Sequence, residues 1–278
     1  MIRTIVAAVT IAMAPSISIA GEAWDDISSM MFNDRAVVEA TAETLVLNTP
    51  YRATDDRRVP MGGTVTLTDG AMIDKVYLVI DENPMPVSAV FEMDSPTAEF
   101  SFEMSMRLNG PGGIHLVVET TDGEILVREG YTKTSGLGAC AAPPATDPVI
   151  ALQTLGQMEL ALAPAKNDAK TRLASLASGN QLSSPVANAI KAEIGFRHPS
   201  HSGLQMDQIT LLYLPARFIE TIAFSTDDRP MFTMTGSISL SEDPALAVVL
   251  PAGSSTLTVK MVDTEDAAFK QTFYLGQS

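Results

Sequence analysis

The chain has 278 residues, 33 of them acidic and 18 basic, for a formal net charge of −15, with 46% apolar residues and a single cysteine. A surface this negative is repelled by phosphate backbones and anionic headgroups, which makes nucleic acid and acidic membrane surfaces poor candidates for partners. One cysteine excludes an internal disulfide, and the sequence holds no Cys-x-x-Cys-His for haem and no glycine-rich phosphate loop.

The first twenty residues, "MIRTIVAAVTIAMAPSISIA", carry Arg3, an apolar run from Ile5 to Ala14, a break at Pro15 and small residues at Ser18 and Ala20. That order predicts a secretory signal (1–20) cleaved after Ala20, and hence an exported, periplasmic chain. No later stretch reaches the ~18–20 apolar residues that a membrane span needs. Next comes a series of short alternating segments: 43–48, 62–68, 73–80, 86–92, 98–107, 113–120 and 124–132. Segment 98–107 places Ala98, Phe100, Phe102, Met104 and Met106 on one face and Glu99, Ser101, Glu103, Ser105 and Arg107 on the other. Strict period two is the mark of a half-buried antiparallel strand. Turn signals at Thr68-Asp69-Gly70, Asn109-Gly110-Pro111 and Thr121-Asp122-Gly123 punctuate the series. Seven short strands in one half predict an immunoglobulin-like β-sandwich over 21–135.

Between Thr134 and Pro148 the alternation stops, and the chain reads "TSGLGACAAPPATDP". Residues 136–156 are expected to form an arm and linker, flexible at Gly136, Gly138, Ala139 and Ala141, with Cys140 exposed at its centre. Asp147 followed by Pro148, with Gly156 downstream, predicts a short helix, and a second is expected over about 165–178. The second half, 157–278, returns to strands at 157–163, 188–196, 216–224, 231–240, 246–250, 255–262 and 269–275. The fold class is therefore all-β: two sandwiches joined by a short Gly/Ala/Pro arm, expected to dock on each other. "TDDR" occurs at 54–57 and 226–229, and both copies read as solvated turns.

An unpaired thiol in an oxidising compartment points to intermolecular pairing or to a reactive group. The chemistry open to it is attack at sulfur, leaving a persulfide or an S-thiosulfonate. Rival sites are weaker. "GACAA" (138–142) has the outline of a nucleophile elbow, but Pro143 and Pro144 block the helix that an elbow needs. His198 and His201 are three apart in a proline-containing loop without an acidic cluster, which suits structural histidines better than a metal site. His115 reads as a strand residue, and the 15 methionines lie in strands or the signal, where packing accounts for them. No catalytic residue, metal or cofactor is expected.

The segments "NTPYRATDDRRVP" (48–60), "VYLVIDENPMPVSAVFEM" (76–93) and "GLGACAA" (136–142) resemble the Y subunit of the bacterial sulfur-oxidation (Sox) carrier. "IGFRHPSHSGLQMD" (194–207), "PARFIETIAF" (215–224) and "LTVKMVDTED" (257–266) are similar to its Z subunit. The resemblance implies a non-enzymatic carrier, with the family's sulfur-binding cysteine carried over onto Cys140. It also implies partners among periplasmic sulfur-oxidising or quinoprotein dehydrogenase-linked proteins. One departure matters: the family's cysteine sits near a free C-terminus, whereas Cys140 is internal and tethered on both sides. Two functions remain open at this point: a covalent sulfur carrier, or a non-catalytic delivery module for a quinoprotein dehydrogenase system in which Cys140 is incidental or makes an intermolecular disulfide.

Overall fold

In the strand at Glu99–Met106, Phe100, Phe102, Met104 and Met106 are buried while Glu99, Ser101, Glu103 and Ser105 face outward. Such a strand has one apolar face, and only a second layer of structure can cover it. The computed structural model describes residues 21–33, 35–136, 138–165 and 190–276, and two β-sheets supply the layers. The first half contributes β1 (Val37–Glu39), β2 (Leu45–Asn48), β3 (Val59–Thr66), β4 (Ile73–Ile80), β5 (Val87–Met93), β6 (Glu99–Met106), β7 (Gly112–Thr120) and β8 (Ile125–Thr132). The second half contributes β9 (Met158–Pro164), β10 (Ile190–Phe196), β11 (Ile219–Thr226), β12 (Arg229–Thr235), β13 (Ala245–Leu250), β14 (Thr256–Asp263) and β15 (Ala268–Tyr274). The protein is all-β, with two immunoglobulin-like sandwiches in sequence.

The two sandwiches lie edge to edge, and both sheets run through the junction. One sheet has the order β1-β8-β7-β4-β5-β12-β11-β14-β15, the other β2-β3-β6-β13-β10-β9. The joints are antiparallel pairings of β5 with β12, where Phe91 lies opposite Met234, and of β6 with β13, where Phe102 lies opposite Val248. Edges that would otherwise present unpaired N–H and C=O groups are thereby closed. The apolar interiors merge as well. Phe232 of the second half sits 5.2 Å from Phe100 and 5.8 Å from Phe91, between ring centroids, and 4.9 Å from Phe224.

A polar seam crosses the same junction beside the aromatic cluster. Asn83 donates to the Arg107 carbonyl at 2.8 Å and to Ser239 Oγ at 2.9 Å, and it accepts from the Asn109 N–H at 2.8 Å. Ser239 Oγ also accepts from Ser88, and Ser237 donates to the Ser88 carbonyl. Asn83 and the three serines are buried, where an unpaired polar group costs more than a bonded one returns.

The sequence left the helix α1 (Gly21–Phe32) and the parallel strand β1 unanticipated. Trp24, Ile27 and Phe32 of α1 cover Val79, Val117, Ile125 and Val127 on the outer face of the larger sheet. Trp24 stacks on His115 at 4.0 Å, and His115 Nε2 lies 3.1 Å from Asp81 Oδ2. The expected strand 231–240 stops at Thr235, because Gly236 and Ser237 turn the chain. At Gly236 a Cβ would stand 2.5 Å from the Ile219 carbonyl. The "TDDR" at 226–229 closes the β11–β12 hairpin with Asp227 and Asp228 both at positive φ (48° and 59°), the backbone of a mirror-image two-residue turn. The signal segment 1–20 and most of the helix expected over 165–178 lie outside the described residues. No helix among the described residues is long and apolar enough to cross a membrane.

Phe232 is 1% exposed and touches both halves, so Phe232→Ala should cost about 3–5 kcal/mol. Wild type and variant should each unfold in denaturant as one transition. Two resolved transitions in the wild type would contradict a shared core.

Candidate functional site

Beyond β8 the chain leaves the sheet and lies down along the seam. The Ser135 N–H and hydroxyl both donate to Asp56 Oδ2, the former at 2.8 Å. Gly136 and Gly138 take left-handed φ values of 78° and 74°, which only glycine adopts without strain. Ala139 N–H donates to the Leu108 carbonyl at 3.3 Å, and a tight turn closes with Ala141 N–H on the Gly138 carbonyl. Ser202 Oγ donates to the Cys140 carbonyl at 2.5 Å, and Gln205 Nε2 to the Ala142 carbonyl at 2.9 Å. Further along, the Glu242 carboxylate accepts from the Ala145 and Thr146 N–H groups at 2.8 and 2.9 Å. Asp147 then caps α2 (Pro148–Gln153) through the Val149 and Ile150 N–H groups.

Cys140 is consequently 0% exposed, which corrects the expectation of an exposed cysteine at the centre of the arm. Gly136 and Ala141 are exposed, Gly138 is half-buried and Ala139 is buried. The physical reason lies in the composition that suggested mobility. Glycine and alanine add no bulk, so the backbone lies flush against the body, and partners from both halves take up its polar groups.

The second half supplies most of the cradle. His198 Nδ1 accepts the Ser200 N–H at 2.9 Å, and its Nε2 lies 3.5 Å from Asp263 Oδ2. Ser200 Oγ is also 3.3 Å from Nδ1, so hydroxyl, imidazole and carboxylate stand in the order of a hydrolytic triad. The amide already occupies the nitrogen's lone pair and all three groups are buried, so the row acts as a strut. Burial holds the His198 imidazole neutral, down to about 4, with Asp263 opposing the shift. No cluster of His, Cys, Asp and Glu able to hold a metal occurs among the described residues.

Arg107 was expected on the polar face of its strand, but it is buried at 2% exposure. It follows the last residue of β6, where the strand runs under the seam. Its Nη1 donates to the carbonyls of Ser200 at 2.6 Å, Leu240 at 2.7 Å and Ile238 at 3.4 Å. Burial lowers its pKa to about 10, with Cys140 and Glu242 opposing. Burial raises the Cys140 thiol to about 11, with the Arg107 charge opposing, so the closed arm holds a neutral thiol.

Sequence reasoning found Cys140 and missed its surroundings: Asp56, Arg107, Ser202, Gln205 and Glu242. The usable signals were the polar stretches Asp81–Pro84 and His198–Gly203, which stand out because polar residues seldom cluster inside sandwiches without a bonding duty.

Residues 29–140 match the family model described as sulfur oxidation protein SoxY, and 183–274 match that described as sulphur oxidation protein SoxZ. The first match ends on Cys140. Among solved structures, the sulfur carrier protein SoxY from Chlorobium limicola f thiosulfatophilum is 21% identical, over 42% of this chain and 95% of that one, at a TM-score of 0.33. A β-glycosidase from Bacteroides vulgatus is 11% identical, over 84% of this chain and 24% of that one, at a TM-score of 0.21. No curated protein matches.

The cradle makes two predictions. Ser202→Ala leaves the Cys140 carbonyl without its donor, worth about 1–3 kcal/mol of local stability, so labelling of the native thiol should speed up roughly tenfold or more. The protonation states set a pH window. His198 is depressed from 6.5 to about 4, so its contribution is lost as pH falls through that range; Cys140 is raised from 9.0 to about 11, so its contribution is lost as pH rises through that range. Arm protection against a protease should therefore fall as pH rises from about 9 to about 11, whereas the His198 contribution, buried whether or not the arm is open, belongs to the stability of the whole fold and is lost below about 6.5. Arm protection that stays constant between about pH 9 and 11 would contradict the Cys140 assignment.

Proposed function

We propose, from a chain that carries a SoxY domain followed by a SoxZ domain, that this protein is a periplasmic covalent carrier of sulfur intermediates, with Cys140 as the attachment point and the closed arm as its resting state. The reading is carried by the placement of Cys140. It is the only cysteine, it lies where the SoxY match ends, and polar groups of both halves hold its segment. Catalysis belongs to partner proteins, among them sulfur-oxidising enzymes and a quinoprotein dehydrogenase system. The carrier's part is to hold the group, shelter it and present it. The leader-like segment 1–20 supports export.

Among the described residues the bonds that close the arm are few, whereas the junction beneath it is a continuous double sheet. Opening therefore breaks a handful of hydrogen bonds and leaves the sandwiches intact. A thiol near 11 is a poor nucleophile while enclosed, and release into water restores an ordinary thiol, so opening exposes and activates the group in one step.

A second reading is favoured by one observation, the complete burial of Cys140. In that reading the cysteine is a packed small residue and the protein is a delivery module. Intact mass separates the two. Protein isolated from its own cell envelope should carry additional mass of about 32 Da per sulfane sulfur, removable by reductant and absent from Cys140→Ala. A homogeneous unmodified mass under sulfur-oxidising conditions, together with full activity of Cys140→Ala in a deletion strain, would establish the delivery module instead. Cys140→Ala itself should fold, at a cost of about 1 kcal/mol for the vacated volume.

A further inference from the structure

Beneath the arm lies a cavity of about 160 Å³, roofed by Ala139, Ala142, Pro143 and Ala145 and walled by residues of both halves. That is on the order of five times the liquid volume of one water, room for a small polyatomic group. The charges on its wall are unequally satisfied. Asp55 is paired with Arg57 at 3.0 Å, Glu242 accepts the two arm amides, and Asp243 accepts from Arg197 and from the His198 N–H. The carboxylates are thus engaged. Arg58 donates only to the carbonyls of Glu242 and Asp243, and Arg107 only to the three carbonyls below it. Neither forms an ion pair among the described residues.

Arg107 is the sharper case. All its hydrogen bonds to described residues leave from Nη1, so Nε and Nη2 make none to the described residues, and the side chain, 2% exposed, lines the cavity. A buried cation with no direct ion pair is costly, and an anion entering the cavity would offset that cost. A guanidinium fork is well suited to two oxygens of a tetrahedral oxyanion. Its charge acts on the Cys140 thiol, and the same residue lines the cavity.

We infer that this cavity is an anion subsite that receives the oxidised, sulfonate-bearing end of an adduct on Cys140, with Arg107 as its principal donor and Arg58 in support. The inference rests on the carrier reading and deepens it. A sulfonated adduct re-closes the arm over the cavity, whereas a neutral adduct of the same size has no partner there and holds the arm out. The closed arm thereby reports the oxidation state of what it carries, and a partner that acts on anionic cargo has to open it.

The test compares three adducts on the full-length mature chain. Carboxymethyl and carbamidomethyl groups, from iodoacetate and iodoacetamide, have nearly the same shape and differ in charge. The third adduct comes from tetrathionate: the Cys140 thiolate attacks a central sulfur, a Cys140 S–S bond forms as the bond to the departing half breaks, thiosulfate leaves with the electron pair, and Cys140–S–S–SO₃⁻ remains. The thiol proton goes to solvent, and no separate oxidant is needed. Proteolysis within 134–147 reads the arm. Cleavage should be at least about tenfold slower for the two anionic adducts than for the carbamidomethyl adduct. Arg107→Gln should abolish that difference, and Arg107→Lys should keep part of it. Because Arg107 also bonds three carbonyls, the wild-type comparison is decisive even if the variants fold poorly. Equal cleavage of the carboxymethyl and carbamidomethyl proteins overturns the anion subsite alone. A Cys140 that takes no adduct short of global unfolding overturns the carrier reading and the subsite with it.

Discussion

The pairing of β5 with β12 and of β6 with β13 is the constraint from which the rest of the molecule follows. Two antiparallel joints, one in each layer, turn two sandwiches into one double sheet, and Phe232 packed against Phe91 and Phe100 fills the space between the layers at that point. Because the joints fix the halves, residues far apart in sequence meet at fixed distances. Asn83 and Ser239 are 2.9 Å apart across the seam, and the Arg107 side chain reaches the Ser200 carbonyl at 2.6 Å. A swinging pair of domains could not hold a buried guanidinium on three carbonyls of the other half.

The arm depends on that rigidity. It begins on the first half, bonded through Ser135 to Asp56, and its far part is bonded to the second half through Ser202, Gln205 and Glu242. Of its described side chains only Ala139 and Cys140, both small, are buried, so its closed position rests largely on hydrogen bonds whose partners the seam holds in place. The internal tether, in contrast with a free tail, limits how far the thiol travels: the eight residue steps from Thr132 to Cys140 extend to at most about 26–29 Å. In the carrier reading proposed above, the tether would also return the arm to the same cradle after each opening.

Much of this architecture is legible in the chain. Alternation in segments such as Glu99–Met106 gave the strands because period two is a strong, local signal. Asp147-Pro148 marked the start of α2 because capping is equally local. What was not legible depends on long-range geometry. Nothing near Arg107 announces three carbonyl partners more than 90 residues away, so an alternation rule placed it on the solvent face. The Gly/Ala run around Cys140 was read as mobile because composition reports what a segment lacks. It does not report that Ser202 and Gln205 wait opposite its carbonyls. Trp24, Ile27 and Phe32 had helical spacing, but the face they cover became visible only once β7 and β8 were assembled beneath them.

Native-state hydrogen exchange tests the central claim, that the arm opens alone on an intact double sheet. The amides to follow are Ala139, Ala145 and Thr146, which donate to Leu108 and Glu242, against those of β12 at the joint, such as Phe232 and Met234. The account predicts that the arm amides exchange as a group through a small opening whose free energy is insensitive to low denaturant, while the joint amides exchange only with global unfolding. If the arm amides share the stability and the denaturant dependence of the joint, the arm is part of the core, Cys140 is a packing residue, and the carrier account is contradicted.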